Sequence, residues 1–110
     1  MTDLELLELA AKAAGGRLVK SVLRDEDGDA CYELRTSTST ELWNPLTDDG
    51  DALRLAVKLY LELDVCHTEV AVRTPNGHKA LLHAEQEPDP YAATRRAIVR
   101  AAAEIGKGMK

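Results

Sequence analysis

A chain of 110 residues has the length of one domain, and at that size folding buries roughly 60 to 70% of the surface an unfolded chain exposes. With 45% hydrophobic and 30% charged residues, seven Gly and four Pro, the composition excludes a disordered tail or a collagen-like repeat and fits a single globular domain over residues 1–110. The formal net charge of -5 argues against non-specific nucleic-acid binding by the whole surface and leaves room only for a local basic stripe.

From the N-terminus, Thr2 and Glu5 have capping-box spacing, and Leu4, Leu7, Ala11 and Ala14 follow at helical intervals until Gly15 and Gly16 close the helix. Residues 17–23 and 30–36 are rich in strand formers around the polar turn 25–29, in which Gly28 tolerates positive φ, so a hairpin is predicted. The hydroxyl-rich stretch 36–40 either extends the second strand or serves as a connector after it. Pro45 biases Asn44 away from helix. Thr47 or Asp48 then caps a second helix running to about Glu62, with Asp48, Asp49 and Asp51 at its positive dipole end.

Residues 65–73 and 79–85 alternate around the turn 74–78, predicting a second hairpin. Setting Val72 opposite Ala80, Val70 opposite Leu82 and Thr68 opposite Ala84 fills the buried face, and the other face then pairs Glu69 with His83 and His67 with Glu85. Asp89 as cap and Pro90 as first residue start the last helix, whose inner stripe reads Tyr91, Thr94, Ile98, Ala101 or Ala102, and Ile105. The expected fold is α+β, a four-stranded, largely antiparallel sheet in α-β-β-α-β-β-α order with helices covering it. Without Phe, its core must be built from Leu, Val, Ile and Ala, which permits close packing.

The candidates for chemistry are weak. Asp25, Asp27 and Asp29 resemble the opening of a calcium loop, but Ala30 stands where Gly is needed and Thr36 where Glu is needed, so a solvated turn accounts for them. Cys31, Cys66, His67, His78 and His83 lack zinc-site spacing. Cys66 shares the inward parity of Val70 and Val72 and is expected to be a buried, reduced thiol, while His67 and His83 face outward beside carboxylates. The acidic Asp48, Asp49 and Asp51 suit a first helical turn better than a metal-nuclease site. No phosphate-binding, zincin or hydrolase motif is present, and neither cofactor nor metal is expected.

Charge is segregated. Residues 25–51 hold nine acidic side chains against Arg35 alone, whereas Arg95, Arg96, Arg100 and Lys107 form a basic stripe on the last helix. That stripe is a candidate contact for nucleic acid or an acidic partner; its alternatives are an Arg100–Glu104 pair on a solvated face, or a homodimer in which it meets the acidic region of a second copy. The apolar arc of the second helix, spanning Ala52, Leu53, Leu55, Ala56, Val57, Leu59, Tyr60 and Leu61, is wider than one sheet face requires, which implies a flanking helix or an interface.

The Trp43-Asn44-Pro45 entrance to a capped helix, the alternating strands and the closing Arg96-Ala97-Ile98 helix resemble the bacteriophage and prophage ABA sandwich domain family over residues 42–105. The resemblance implies a phage-encoded or prophage-encoded accessory protein with helices on both sides of a central sheet, an α/β/α sandwich, and it carries no reaction or catalytic residues. The expected function is therefore a non-catalytic module that binds a host or phage protein. Asp25, Asp27, Asp29, Trp43, Asp48 and Asp49 are candidate contacts, although a sole Trp also suits a packed core. The alternative is a nucleic-acid-binding module using Arg95, Arg96, Arg100 and Lys107. A metal-dependent enzyme using the Asp or Cys/His sets stands third. No apolar run reaches the roughly 18 residues of a membrane span, and Asp3, Glu5 and Glu8 do not suit a signal peptide, so a cytoplasmic protein without membrane association is expected.

Overall fold

The Thr2 hydroxyl opens the first helix, accepting from the Glu5 N–H at 3.1 Å and donating to the Glu5 carboxylate at 3.2 Å, and α1 spans Asp3–Ala13. The computed structural model describes residues 1–66, 68–77, 79–83 and 89–109, with 81–83 in backbone alone. After Gly15, at φ 87°, the chain enters β1 (Arg17–Arg24), which pairs antiparallel with β2 (Ala30–Arg35). Gly28 takes φ 83° in the turn between them, and the pairing shifts register between Lys20 and Arg24. Residues 36–39 form a tight turn: the Thr36 N–H donates to the Ser39 carbonyl at 2.9 Å, and the Thr36 hydroxyl accepts from the Thr38 and Ser39 N–H groups. The chain then returns as β3 (Thr40–Leu42) along β2, so the hydroxyl-rich segment is a hairpin turn rather than an extension of one strand.

Asp48, not Thr47, caps α2 (Asp49–Lys58), accepting from the Asp51 N–H at 2.8 Å. The helix ends four residues before the expected Glu62, because Tyr60 adopts φ 55° and turns the Leu61 N–H back to the Ala56 carbonyl at 2.9 Å. That early stop frees β4 (Glu62–Val65), which pairs antiparallel with β5 (Glu69–Arg73). The expected single strand over 65–73 is thus a hairpin reversing at residues 66–69. β5 then pairs with β6 (Lys79–His83) in the expected register, Val72 with Ala80, Val70 with Leu82 and Glu69 with His83. The expected pairs of Thr68 with Ala84 and His67 with Glu85 lie outside the described residues. Asp89 caps α3 (Pro90–Lys107), accepting from the Ala92 N–H at 2.7 Å, with Pro90 in its first turn.

The α+β class stands, but the described residues form two separate three-stranded antiparallel sheets, β1-β2-β3 and β4-β5-β6, instead of one four-stranded sheet. Each expected hairpin gains its third strand from the adjacent chain segment, which satisfies its edge locally. Nor do helices cover two faces of one central sheet: α3 packs against α1, α2 and the β5 and β6 strands, while α1 also meets β1. Because α3 has neighbours on several sides, it buries Ala93, Ala97, Ile98, Val99, Ala101, Ala102, Ala103 and Gly106, a broader surface than the single stripe expected. Tyr91 lies outside that surface and is exposed. One cluster joins both halves, with Leu7 and Ala11 of α1, Leu34 of β2, Trp43, Leu55 of α2, and Val70 and Val72 of β5 around α3.

Candidate functional site

The register of β4 and β5 places Leu63 beside Val72 and Val65 beside Val70 on one face of their sheet. α3 covers Val70 and Val72 completely, but β4 extends beyond its reach, and Leu63 and Val65 remain exposed. α2 shows the same division. It buries Ala52, Leu55 and Ala56, while Leu53 and Val57, four apart on the helix, face outward, and Tyr60, just beyond its end, is exposed as well. Its wide apolar arc therefore meets a neighbouring helix, α3, as one of the two expectations had it, and leaves Leu53 and Val57 exposed on the other side. Leu53, Leu63, Val65 and Tyr91 converge above Ala52 and Ile98 in a groove of about 490 Å³ between α2, β4 and the start of α3. Its rim is held by Arg95, whose Nε donates to the Leu46 carbonyl at 2.8 Å and whose Nη1 meets the Asp49 carboxylate at 2.7 Å.

On the opposite face of β4, Glu62 pairs with Arg73 at 3.3 Å, and the Cys66 thiol donates to Asp64 Oδ1 at 3.6 Å. The negative charge of Asp64 raises the Cys66 pKa most, with desolvation, the hydrogen bond to Asp64 and the charge of Glu69 adding to it. Cys66 is exposed, contrary to the buried thiol expected. The reversal at residues 66–69 explains this: Val65 keeps the parity of Val70, and Cys66 falls opposite Glu69 on the outer face.

Of the candidate contact residues named from sequence, Asp49 and Arg95 line this groove, together with Ala52 and Leu53 from the wide apolar arc of α2. Asp25, Asp27 and Asp29 are exposed and bring carboxylate oxygens within 4.8 Å of one another. Asp25 Oδ1 accepts from the Asp27 and Asp29 N–H groups at 2.9 Å each, so turn formation accounts for the arrangement. Asp48 is occupied as the α2 cap. Trp43 is only 6% exposed and lines a recess with Leu34 and Leu55, which places its indole in the core and not at a contact surface. The basic stripe is also divided. Arg96 binds both oxygens of Asp3 at 2.9 and 3.2 Å, Lys107 lies 3.8 Å from Glu104 in place of the expected Arg100–Glu104 pair, and Arg100 is exposed. Sequence reasoning missed Leu63 and Val65. The alternation Leu61-Glu62-Leu63-Asp64-Val65 is the signal that identifies them, hidden by extending the helix to Glu62.

No protein family, curated protein or solved structure matches this chain.

Proposed function

We propose that this protein is a non-catalytic binding module that docks a protein partner in the groove between α2, β4 and α3. The observation carrying this reading is the convergence of Leu53, Leu63, Val65 and Tyr91, all exposed, in one groove. A contiguous apolar patch with an aromatic member is what a binding surface presents, because burying it against a partner supplies affinity. The accessory role, with a host or phage protein as the partner, is what the resemblance of residues 42–105 to the phage ABA sandwich family implies; the two three-stranded sheets differ from the single central sheet it also implies.

The test is affinity capture with the wild-type chain and with Leu53→Asp and Tyr91→Asp, two exposed positions where substitution leaves the core intact. A partner recovered by the wild type should lose at least about 2 kcal/mol of binding in either variant, roughly thirtyfold in Kd. Recovery of the same proteins with equal affinity by folded variants refutes the reading.

A further inference from the structure

We infer that the occupant of the groove is an extended segment of a partner protein that adds to the free edge of β4, with apolar and basic side chains alternating along it. This rests on the binding reading above and goes on to specify the conformation and charge of what binds.

Among the described residues, β4 has a neighbour, β5, on one side only. The Cys66 N–H bonds to the Glu69 carbonyl at 2.9 Å, which sets the phase of the antiparallel ladder. Asp64 and Glu62 therefore direct their backbone groups toward β5, and Leu63 and Val65 direct theirs away from it. Two N–H donors and two carbonyl acceptors thus face outward from a strand whose four residues are all exposed.

The same two residues project their side chains into the groove. A strand paired with Leu63 and Val65 consequently sets every second side chain against Leu53 and Tyr91, where apolar groups fit. Its intervening side chains fall on the other face, which presents Glu62, Asp64 and Glu69 against Arg73 and, across β5 from the β4 edge, Lys79. Glu62 is engaged with Arg73, whereas Asp64 is exposed, accepts from the Cys66 thiol and has no cation partner among the described residues, which leaves its negative charge uncompensated. Lys or Arg at the intervening positions matches that charge.

A second copy of this chain matches it poorly. An antiparallel pairing that uses both outward residues sets Leu63 of each copy opposite Val65 of the other and brings the two Asp64 side chains face to face in the closer, non-hydrogen-bonded type of pair. The acidic residue thereby discourages self-association of the edge while leaving it open to a basic strand.

The experiment titrates the isotopically labelled full chain with three acetylated octapeptides and follows amide shifts and hydrogen exchange. One peptide alternates Val with Lys, the second has the same composition in two blocks, and the third alternates Val with Glu. The Val/Lys alternating peptide should protect the Leu63 and Val65 amides and bind about tenfold or more tightly than either control. Asp64→Lys, at an exposed position, should reverse the preference toward the Val/Glu peptide. Equal binding of the blocked peptide, failure of Asp64→Lys to alter the preference, or concentration-dependent wild-type dimerisation through β4 overturns the inference. So does binding that shifts α2 and α3 without protecting Leu63 and Val65, which marks a different occupant. If no peptide binds while Leu53→Asp still abolishes partner capture, strand addition fails and the groove keeps its binding role; capture insensitive to Leu53→Asp removes that role itself.

Discussion

Tyr60 occupies a backbone conformation that costs an L-residue about 1–2 kcal/mol, and its ring, 84% exposed, gains little packing in return. Its φ of 55° is the left-handed value glycine commonly supplies just beyond a helix C-terminus. Tyr60→Gly should therefore raise the unfolding free energy by about 1 kcal/mol, which for a domain of this size moves the Tm upward by roughly 4 °C. Denaturant and thermal unfolding measure this, and an unchanged or lowered stability shows that the ring packs more than its exposure indicates. This residue also shows why the end of α2 is hard to read in the sequence. Residues 59–61 contain neither Gly nor Pro, and a tyrosine in left-handed geometry leaves no local signal. The helix starts are legible for the opposite reason: Thr2 and Asp89 each bond a backbone N–H three residues ahead, an interaction contained within one turn.

Between elements, small residues allow α1 and α3 to approach closely, as expected of a core lacking Phe and rich in Ala. A Cβ built on Gly106 comes within 2.0 Å of the Leu9 carbonyl oxygen, a backbone atom that cannot rotate away. Gly106→Ala gains up to about 1 kcal/mol of helix propensity, but separating the two helices costs more, so a net loss of about 1–3 kcal/mol is expected. Gly108→Ala is the control, because its added methyl meets nothing closer than 3.6 Å, and chemical denaturation of the two variants side by side decides whether the contact is the cause. Strand pairing is legible wherever alternation persists, as in Val70 with Leu82 and Val72 with Ala80. It fails where the chain reverses without a glycine or proline. Counting parity through residues 66–69 puts Cys66 inside and conceals the β4 edge, since one unseen turn exchanges the two faces for every residue beyond it.

At the scale of the molecule, the segregated charges of the sequence meet within one chain. Arg96 of α3 holds Asp3 at the start of α1, and Arg95 holds Asp49 at the start of α2, so two adjacent arginines tie the N-terminal turns of both other helices to α3. The sequence displays the opposite charges but not their partners, because the pairs span 93 and 46 residues and only the tertiary packing joins them. Hydrogen bonding from Arg96 lowers the Asp3 pKa most; partial burial acts in the opposite direction, and the charges of Arg96 and Arg100 lower it further. A carboxylate with a lower pKa in the folded than in the unfolded state, where it is about 3.9, contributes stability that is present above that value and lost as pH falls through the folded pKa. Asp3→Asn should accordingly be less stable than the wild type near neutral pH, by up to about 1 kcal/mol because Asp3 is largely exposed and screened. The gap should narrow as the medium is acidified below about pH 4, and at high salt. Urea unfolding of both proteins across that range measures it. A gap constant with pH shows that Asp3 acts through the shape of the α1 terminus and not through its charge.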